Sequence, residues 1–533
     1  MAKEESPIQK PENNKESGPK TSIKRRTLLK ALAGIPVLGV FSFEVFKKWS
    51  YEQHKKNSLI EELGLKNLQA PVAVKSPSSG KSELLRIGMI GFGSRAQQLA
   101  NGLGYMHPAD IEKKKKDGSL ADWLEQEDLN VGILGICDVF DLHADEGLAT
   151  AQNEVRAGGG GNGIRLPVKR YRHYQEMLAD KDIDAVVIAT PDHHHAHITS
   201  EAVEAGKHVY CEKSIALTED ELNRVYNAVK TSNRVFQLGH QITQNVVFQQ
   251  AKEIIAKDIL GKITLVETTT NRNSASGAWV RHLDENGKPK PGDEKSIDWL
   301  QWLGNRPYVP FSIDRYYSWV KWFDYDLGMI GQLFTHEFDA VNQLLRIGIP
   351  TSATSSGGIY YWKDNREIPD VLHCLFEYPE KNLSLIYSAD LACSRDRGRV
   401  FMGHDASMEL GESLSIKADY DSTRYKKQIE SGLIDTSAPM IAIQPGSGKV
   451  DAVSSATAKY YASRGLTTTN INGHLVDVTH LHLKEWINCI RNGGTTSANI
   501  ERAFEEGVTC LMAQKSYLEK RQVIWDPVTR KIV

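Results

Sequence analysis

Short apolar runs alternate with helix-type segments in the chain beyond residue 83. Leu84–Ile90, Val131–Cys137 and Ile183–Thr190 consist mostly of apolar or small residues. Apolar runs of strand length, separated by helical segments, are typical of a parallel sheet built from βαβ units. The pattern therefore predicts an α/β fold with a parallel sheet in its first domain.

The chain before residue 84 has a different pattern. Residues 1–24 are polar, and Arg25 and Arg26 then precede an apolar run from Ala31 to Phe43. As a helix this run spans roughly 20 Å, short of a hydrocarbon core of roughly 30 Å. We interpret residues 1–46 as an export signal that resembles the twin-arginine (Tat) type, and residues 47–83 as a linker.

That interpretation predicts a periplasmic or exported protein whose partner is the Tat export machinery. A basic tail without a targeting role is the alternative. No clean Ala-x-Ala cleavage site follows the apolar run, so an uncleaved membrane anchor also stays open.

Composition narrows the function classes. The 533 residues carry 65 basic and 67 acidic side chains, a net charge of −2, which gives no general electrostatic footprint for nucleic acid. The six cysteines lie far apart without a CxxC pair, which makes a zinc ribbon or a disulfide scaffold improbable. The length beyond the linker suits two domains.

A glycine-rich turn follows the first apolar run. It reads Gly91-Phe92-Gly93-Ser94-Arg95-Ala96 and leads into a helical segment, as in the GxGxxA dinucleotide fingerprint. Gly91 permits the tight turn, Gly93 lets the backbone approach a pyrophosphate, and Ala96 allows close helix–strand packing. A glycine turn without a ligand is the alternative.

Asp138 ends the second apolar run, at the position where such folds bind the ribose hydroxyls. An acid there repels a 2′-phosphate and no arginine follows it directly, so the cofactor is expected to be NAD rather than NADP. A solvated aspartate at a strand end is the alternative.

Further motifs resemble the Gfo/Idh/MocA family of sugar oxidoreductases over residues 84–533. They are the segments 189–195, 206–214, 299–304, 319–325, 328–339 and 525–527. The resemblance implies a Rossmann domain over 84–215 and a C-terminal α/β domain over 216–533, with a large open, mainly antiparallel sheet. It also implies a homo-oligomer, and a last segment that packs back on the Rossmann domain.

Two positions depart from the family's pattern. Its Glu-Lys-Pro motif reads Glu212-Lys213-Ser214, and the first acid of its Asp-x-Gly-x-His-x-x-Asp motif is replaced by Gln332, while His336 and Asp339 are retained. An amide can hydrogen-bond a hydroxyl but cannot accept a proton as a carboxylate can.

The resemblance implies roles for individual residues. Lys213 and His336 are the candidate catalytic pair, and either could be the base that takes the hydroxyl proton. The candidates for substrate binding are His195, Gln332, Asp339 and Trp322. The candidates for cofactor binding are Gly91, Phe92, Gly93, Ser94, Arg95, Asp138, Thr190, Pro191, His193, Glu212 and Lys213.

The histidines at 193–195 and 197 raise the question of a metal site. No carboxylate or cysteine lies at a recognisable metal spacing from them, so no metal is predicted and a place at the cofactor–substrate cleft is favoured.

The leading functional hypothesis is an NAD-dependent oxidoreductase with tightly bound cofactor that acts on a ring hydroxyl of a sugar or glycoside. The first alternative is an NAD-dependent glycoside hydrolase that works by transient oxidation at carbon 3, elimination and addition. The second alternative is a non-catalytic sugar or nucleotide sensor.

Overall fold

The computed structural model describes residues 55, 57–65, 83–153, 155, 167–274, 279–284, 286–395, 397–443, 468–471 and 474–533. The predicted signal, 1–46, and most of the predicted linker, 47–83, lie outside them; residues 57–62 are helical. The chain divides into two units at Gly64, and the unit from Leu65 to Val533 holds the fold. None of the helices in the described ranges is long and apolar enough to cross a membrane.

The first sheet has six parallel strands in the order β3-β2-β1-β4-β5-β6. They are β1 (Leu85–Ile90), β2 (Val131–Cys137), β3 (Lys169–Tyr171), β4 (Ala185–Ile188), β5 (His208–Cys211) and β6 (Phe236–Leu238). The three apolar runs of the sequence are β1, β2 and β4. Because the strand order reverses between β1 and β4, the carboxyl ends of these strands border the crevice in which doubly wound sheets bind ligands.

In the part of this domain that the structure describes, seven α-helices connect or flank the strands. They are α1 (Ser94–Leu103), α2 (Pro108–Asp117), α3 (Leu120–Leu124), α4 (Asp141–Ala151), α5 (Tyr174–Ala179), α6 (His195–Glu204) and α7 (Glu219–Ser232). Together with the parallel sheet they confirm the predicted Rossmann domain. The sheet continues to β6, past residue 215 where the sequence prediction ended this domain.

The second sheet has ten strands in the order β14-β13-β12-β11-β7-β10-β9-β8-β17-β18. The pair β7–β10 is parallel and the other pairs are antiparallel, which confirms the predicted open, mainly antiparallel sheet. Its strands are β7 (Ile263–Asn271), β8 (Ser352–Gly358), β9 (Val371–Tyr378), β10 (Leu383–Asp390), β11 (Arg399–Gly403), β12 (Ala406–Leu410), β13 (Leu414–Ala418), β14 (Ile441–Ile443), β17 (Val523–Asp526) and β18 (Lys531–Ile532).

Within the described residues, a separate hairpin and seven α-helices complete this half. The hairpin is β15 (Thr468–Ile471) and β16 (His474–Asp477). The helices are α8 (Val246–Ala256), α9 (Trp299–Leu303), α10 (Ile313–Tyr317), α11 (Thr335–Leu345), α12 (Lys426–Glu430), α13 (Val478–Asn492) and α14 (Ile500–Glu519).

Helix α13, late in the chain, belongs to the core of the first domain. Its residues Leu483, Trp486 and Ile487 are buried in one apolar cluster with Leu99 and Leu103 of α1. The close approach depends on Gly102, because a Cβ there would lie 2.8 Å from Cδ1 of Leu483. The C-terminal segment therefore packs on the Rossmann domain.

Leu483→Ala should destabilise the protein because it opens a cavity in this shared core. We expect a loss of roughly 2–5 kcal/mol in the free energy of unfolding. Leu518→Ala, at a half-exposed position near the end of α14, is the control and should change it by less than about 0.5 kcal/mol. Denaturant unfolding of both variants measures the difference, and equal values would contradict the shared core.

Candidate active site

The two glycines of the turn at the end of β1, Gly91 and Gly93, have different roles. Gly91 has a φ of +79°, and a Cβ there would lie 2.8 Å from the carbonyl oxygen of Ala189. Its N–H donates to the carbonyl of Cys137 at 2.8 Å. Gly91 is therefore required by the fold, because a side chain would strain the turn and collide with the end of β4.

Gly93 has extended backbone angles and directly precedes α1. A Cβ at Gly93 would meet nothing within 4 Å, so the space beside it is open. The amino end of α1, which has no side-chain cap at Gly93, opens onto this space, and Ser94 beside it is exposed. Free N–H groups, a positive helix end and open space fit an anionic pyrophosphate.

Asp138 braces the same turn from the end of β2. Its Oδ2 accepts the N–H of Phe92 at 2.6 Å and its Oδ1 accepts the N–H of Phe140 at 2.8 Å. Burial raises the pKa of this carboxyl. Each oxygen retains a second lone pair, to which a ribose hydroxyl could donate. The ring of Phe92 lies in the core, so this residue contributes its backbone alone.

Arg95 and Glu212, both predicted to bind the cofactor, contact each other. Nε of Arg95 donates to Oε1 of Glu212 at 2.7 Å, and both side chains are largely buried. The pair ties α1 to the segment after β5. In this structure the ion pair holds the backbone of the turn, and direct contacts of Arg95 and Glu212 with the cofactor stay a prediction.

Three partly exposed residues lie where the Rossmann domain contacts the second half of the chain, and this place is called the opening below. Lys213 is partly exposed within the buried segment 209–217, and Gln332 and His336 are partly exposed within the buried segment 330–342. Gln332 lies in a π-helical turn, Ile330–Phe334, that runs into α11. Because Gln332 and His336 are four residues apart, both side chains lie on one face of this helix.

Lys213 is held by Gln332. Its Nζ donates to Oε1 of Gln332 at 3.0 Å and to the carbonyls of Gly331 and Gln332 at 3.3 and 3.4 Å. Three acceptors match the three donors of an ammonium group. The structure thus brings together three of the residues predicted for the reaction, Lys213, Gln332 and His336.

A pair of buried carboxyl groups lies behind Gln332 and was not singled out by the sequence analysis. Nε2 of Gln332 donates to Oδ2 of Asp192 at 3.1 Å and to Oδ1 of Asp326 at 3.0 Å. Burial and the neighbouring Asp192 raise the pKa of Asp326 well above its usual range. Two carboxyl groups this close, in a buried place, favour retention of a proton on Asp326.

His336 contacts a second histidine that the sequence analysis also missed. Its Nδ1 lies 3.3 Å from Nδ1 of His240, and Nε2 of His240 lies 2.6 Å from Oε2 of Glu506. Burial and the neighbouring cations lower the pKa of His336, while the carboxylates of Glu506 and Asp339 raise that of His240. His336 by itself is therefore neutral at neutral pH.

Asp339 was predicted to orient His336 or to bind a substrate hydroxyl. The structure buries it, and both of its oxygens accept Nε2 of Gln343 at 2.9–3.0 Å. Its charge acts on His240 instead. The prediction is corrected, because Asp339 is bonded to Gln343 and acts on the site only through its charge near His240.

His195 is also unsuited to the predicted substrate contact. Its Nδ1 contacts the carbonyl of Ser214 at 2.7 Å and its Nε2 that of Thr190 at 2.9 Å, and the residue is fully buried. Both ring nitrogens are occupied, so His195 positions the segments around Thr190 and the Lys213–Ser214 peptide, which is cis.

Trp322 lies in an aromatic cluster with Phe140, Trp302 and Tyr325. The guanidinium of Arg315 lies 4.7 Å and Nζ of Lys321 4.9 Å from its ring centroid. Buried and covered by two cations, the indole is not available for stacking on a sugar, which corrects the predicted substrate contact.

His193 and His194 share one acceptor. Nε2 of His193 lies 2.8 Å and Nε2 of His194 2.7 Å from the carbonyl of Trp302, and burial lowers the pKa of both rings. These histidines tie the segment after Pro191 to α9, and His193 thereby supports the cofactor side only indirectly. Within the described ranges no group of three or more His, Cys, Asp or Glu residues is arranged to hold a metal ion.

Gly91→Ala should affect the stability of the fold, whereas Gly93→Ala should affect the binding of the cofactor. Gly91→Ala strains a left-handed backbone and meets Ala189, so we expect a loss of roughly 1–3 kcal/mol in stability. Gly93→Ala should leave stability within about 0.5 kcal/mol of the wild type but place a methyl group in the pyrophosphate space and weaken NADH binding at least about tenfold. Thermal melting and NADH fluorescence titration measure both; unchanged NADH binding in Gly93→Ala would contradict this cofactor position.

Comparison with known proteins agrees with the fold. Residues 131–240 match the family model described as an oxidoreductase family with an NAD-binding Rossmann fold. Levoglucosan dehydrogenase of Pseudarthrobacter phenanthrenivorans is 31% identical over 185 residues, 35% of this chain and 41% of the relative. Inositol 2-dehydrogenase of Salmonella paratyphi B is 31% identical over 187 residues, 33% and 48% of the two chains. The chain thus spans less than half the length of these relatives.

Solved structures with the same fold cover more of the chain. A levoglucosan dehydrogenase in complex with NADH and levoglucosan gives a TM-score of 0.53 at 17% identity, over 83% of this chain and 99% of that one. An NAD binding oxidoreductase from Klebsiella pneumoniae gives 0.53 at 16% identity, over 83% and 99%. Residues 131–240 thus match the NAD-binding Rossmann model of the Gfo/Idh/MocA oxidoreductases, and the chain shares the fold of these solved structures.

Proposed function

We propose that the protein is an NAD-dependent oxidoreductase that oxidises a ring hydroxyl of a sugar or glycoside. The observation that carries the proposal is the group of partly exposed side chains Lys213, Gln332 and His336, which borders the carboxyl edge of the Rossmann sheet. The relatives' names, levoglucosan dehydrogenase and inositol 2-dehydrogenase, support a polyol or sugar as the substrate class.

The residues around the first glycine turn suit the cofactor. The open space at Gly93, the amino end of α1 and the remaining lone pairs of Asp138 would hold the pyrophosphate and ribose. When bound, NAD accepts the hydride of the oxidised carbon. The chain itself supplies orientation, a proton acceptor and charge stabilisation.

The contacts at the opening favour one assignment of acid and base. The ammonium of Lys213, with its acceptors on Gln332 and Gly331, suits stabilisation of a developing alkoxide. His336, whose pKa is lowered by burial and nearby cations, is neutral and suits proton acceptance. The free lone pair of Gln332 Oε1 suits a substrate hydroxyl.

Substitution of the two groups tests the proposal. Lys213→Ala and His336→Asn should each lower kcat by about 10²–10⁴-fold while NADH still binds, since neither residue braces the glycine turn. His404→Ala, at an exposed histidine, is the control and should leave kcat within about twofold.

The assay also separates the alternatives. A panel of sugars and aryl glycosides is read for NADH and keto-sugar and, separately, for aglycone. Net keto-sugar supports the oxidoreductase; aglycone release without net keto-sugar identifies the NAD-dependent glycosidase. NADH binding with no turnover on any substrate of the panel identifies the sensor, and turnover intact in both site variants contradicts the site assignment.

We further propose that the protein is exported by the Tat route with its NAD already bound and retained through each cycle. The supporting observation is the Arg25-Arg26 pair ahead of a short apolar run, because Tat carries folded proteins. A retained cofactor must return to its starting state, either through a second substrate or through a redox-neutral reaction.

Arg25→Lys with Arg26→Lys should keep the protein in the cytoplasm of its native host, as cell fractionation would measure. Lys47→Arg with Lys48→Arg is the control and should leave export unchanged. Wild-type protein taken from the exported fraction and denatured should release close to one NAD per chain. Absence of nucleotide together with strict dependence on added NAD would contradict cofactor retention.

A further inference from the structure

Three side chains from three different elements form a chain of contacts that ends at the proposed base. Glu506 lies on α14, His240 follows β6, and His336 lies on α11. Oε2 of Glu506 lies 2.6 Å from Nε2 of His240, and Nδ1 of His240 lies 3.3 Å from Nδ1 of His336. Because the two imidazole rings meet at 88°, they contact edge to face rather than by stacking.

The first two members are closed off from solvent and the third is not. The side chains of His240 and Glu506 are 2% and 3% exposed, whereas His336 is partly exposed. Since Nδ1 of His336 is turned to His240, its Nε2 is the nitrogen left for a substrate hydroxyl. No partner of that nitrogen is found among the residues that the structure describes.

We propose that Glu506 and His240 form a buried proton relay with His336, which stores on His240 the proton removed from the substrate hydroxyl. This inference rests on the proposed function, because it takes His336 as the group that faces the substrate. It adds two positioning residues that act through His336 and do not touch the substrate themselves.

The relay has two states that differ by one proton. In the accepting state His240 is neutral, donates Nε2–H to the Glu506 carboxylate, and accepts Nδ1–H from His336, so that Nε2 of His336 has a free lone pair. In the loaded state His240 is an imidazolium that donates to both Glu506 and His336, and Nε2 of His336 carries a hydrogen.

Oxidation of the alcohol converts the first state into the second. The substrate O–H bond breaks as an N–H bond forms at Nε2 of His336, and the Nδ1 hydrogen of His336 passes to Nδ1 of His240. The hydride leaves as in the proposed function, and reduction of the carbonyl runs the same transfers backwards. The new positive charge then lies beside the buried carboxylate of Glu506.

The charged surroundings favour His240 as the place for this proton. Glu506 and Asp339 raise the pKa of His240, while His240, Lys213, Arg95 and Arg272 lower that of His336. Of the other titratable groups close to His240, Lys213 opposes its charge, and His482 is kept neutral by burial and by His240 itself. The relay as a whole therefore takes up its proton above pH 6.5, although His336 alone would do so well below it.

The pH profile of kcat for alcohol oxidation tests the relay. We expect the wild-type profile to fall on its acid side with an apparent pKa above 6.5. Glu506→Gln removes the counter-charge of the imidazolium, so it should move this fall to lower pH and lower the plateau by about 10- to 100-fold, with little change in KM. Glu506→Asp retains the charge and should restore part of both effects.

A double substitution and a matched control sharpen the test. His240→Gln combined with Glu506→Gln should be no slower than His240→Gln alone, because the two residues act as one unit. Glu505→Gln, one residue away on α14 and bonded to Asn342 and Arg502, should leave the profile unchanged. A profile of Glu506→Gln that superimposes on the wild type, or strictly additive losses, would overturn the relay.

Nitrogen-15 NMR of the histidine side chains gives a readout that does not depend on turnover. The signal that His240→Gln removes should report an imidazolium persisting above pH 6.5 in the wild type and lost at lower pH in Glu506→Gln. Failure of the proposed function would appear as no wild-type oxidation of any substrate, whereas failure of the relay would appear as wild-type activity with these titrations unchanged.

Discussion

The hydrogen bond between Lys213 and Gln332 is the contact on which the rest of the site depends. Lys213 lies two residues beyond the end of β5 in the Rossmann domain, and Gln332 lies in the π-helical turn before α11. The amide oxygen accepts from Lys213 while the amide nitrogen donates to Asp192 and Asp326. One side chain therefore joins a cation to a buried carboxyl pair, and its loss would leave several buried polar groups unpaired, at roughly 1–3 kcal/mol each.

Gln332, where the similar Gfo/Idh/MocA motif has an acid, fits its surroundings. A carboxylate at 332 would be the third acid beside Asp192 and Asp326, and mutual repulsion would force further protonation. An amide supplies the donor that the two carboxyls need and still presents an acceptor to Lys213. The carboxyl groups in this part of the site are the buried pair Asp192 and Asp326, and the proposed function assigns proton transfer to His336.

The contacts around the glycine turn fix its backbone and leave the space beside Gly93 open. Gly91 touches the end of β4, and Asp138 binds two backbone N–H groups of the adjoining turns. The ion pair of Arg95 and Glu212 fixes the start of α1. Asp138, Arg95 and Glu212 thus hold the backbone of the glycine turn. The free N–H groups and the open space of that turn fit the ligand.

Local sequence determined the Rossmann half and the residues of the opening. The apolar runs, the glycine turn at Gly91 and the motifs containing Lys213 and His336 are each contiguous, so periodicity and spacing reveal them. The tertiary structure alone decided which polar groups meet: Asp326 with Asp192, and Glu506 with His240. It also buried His195, whose ring nitrogens contact the carbonyls of Thr190 and Ser214, and Trp322, whose ring lies beside Arg315 and Lys321. No local pattern encodes which buried donor finds which acceptor.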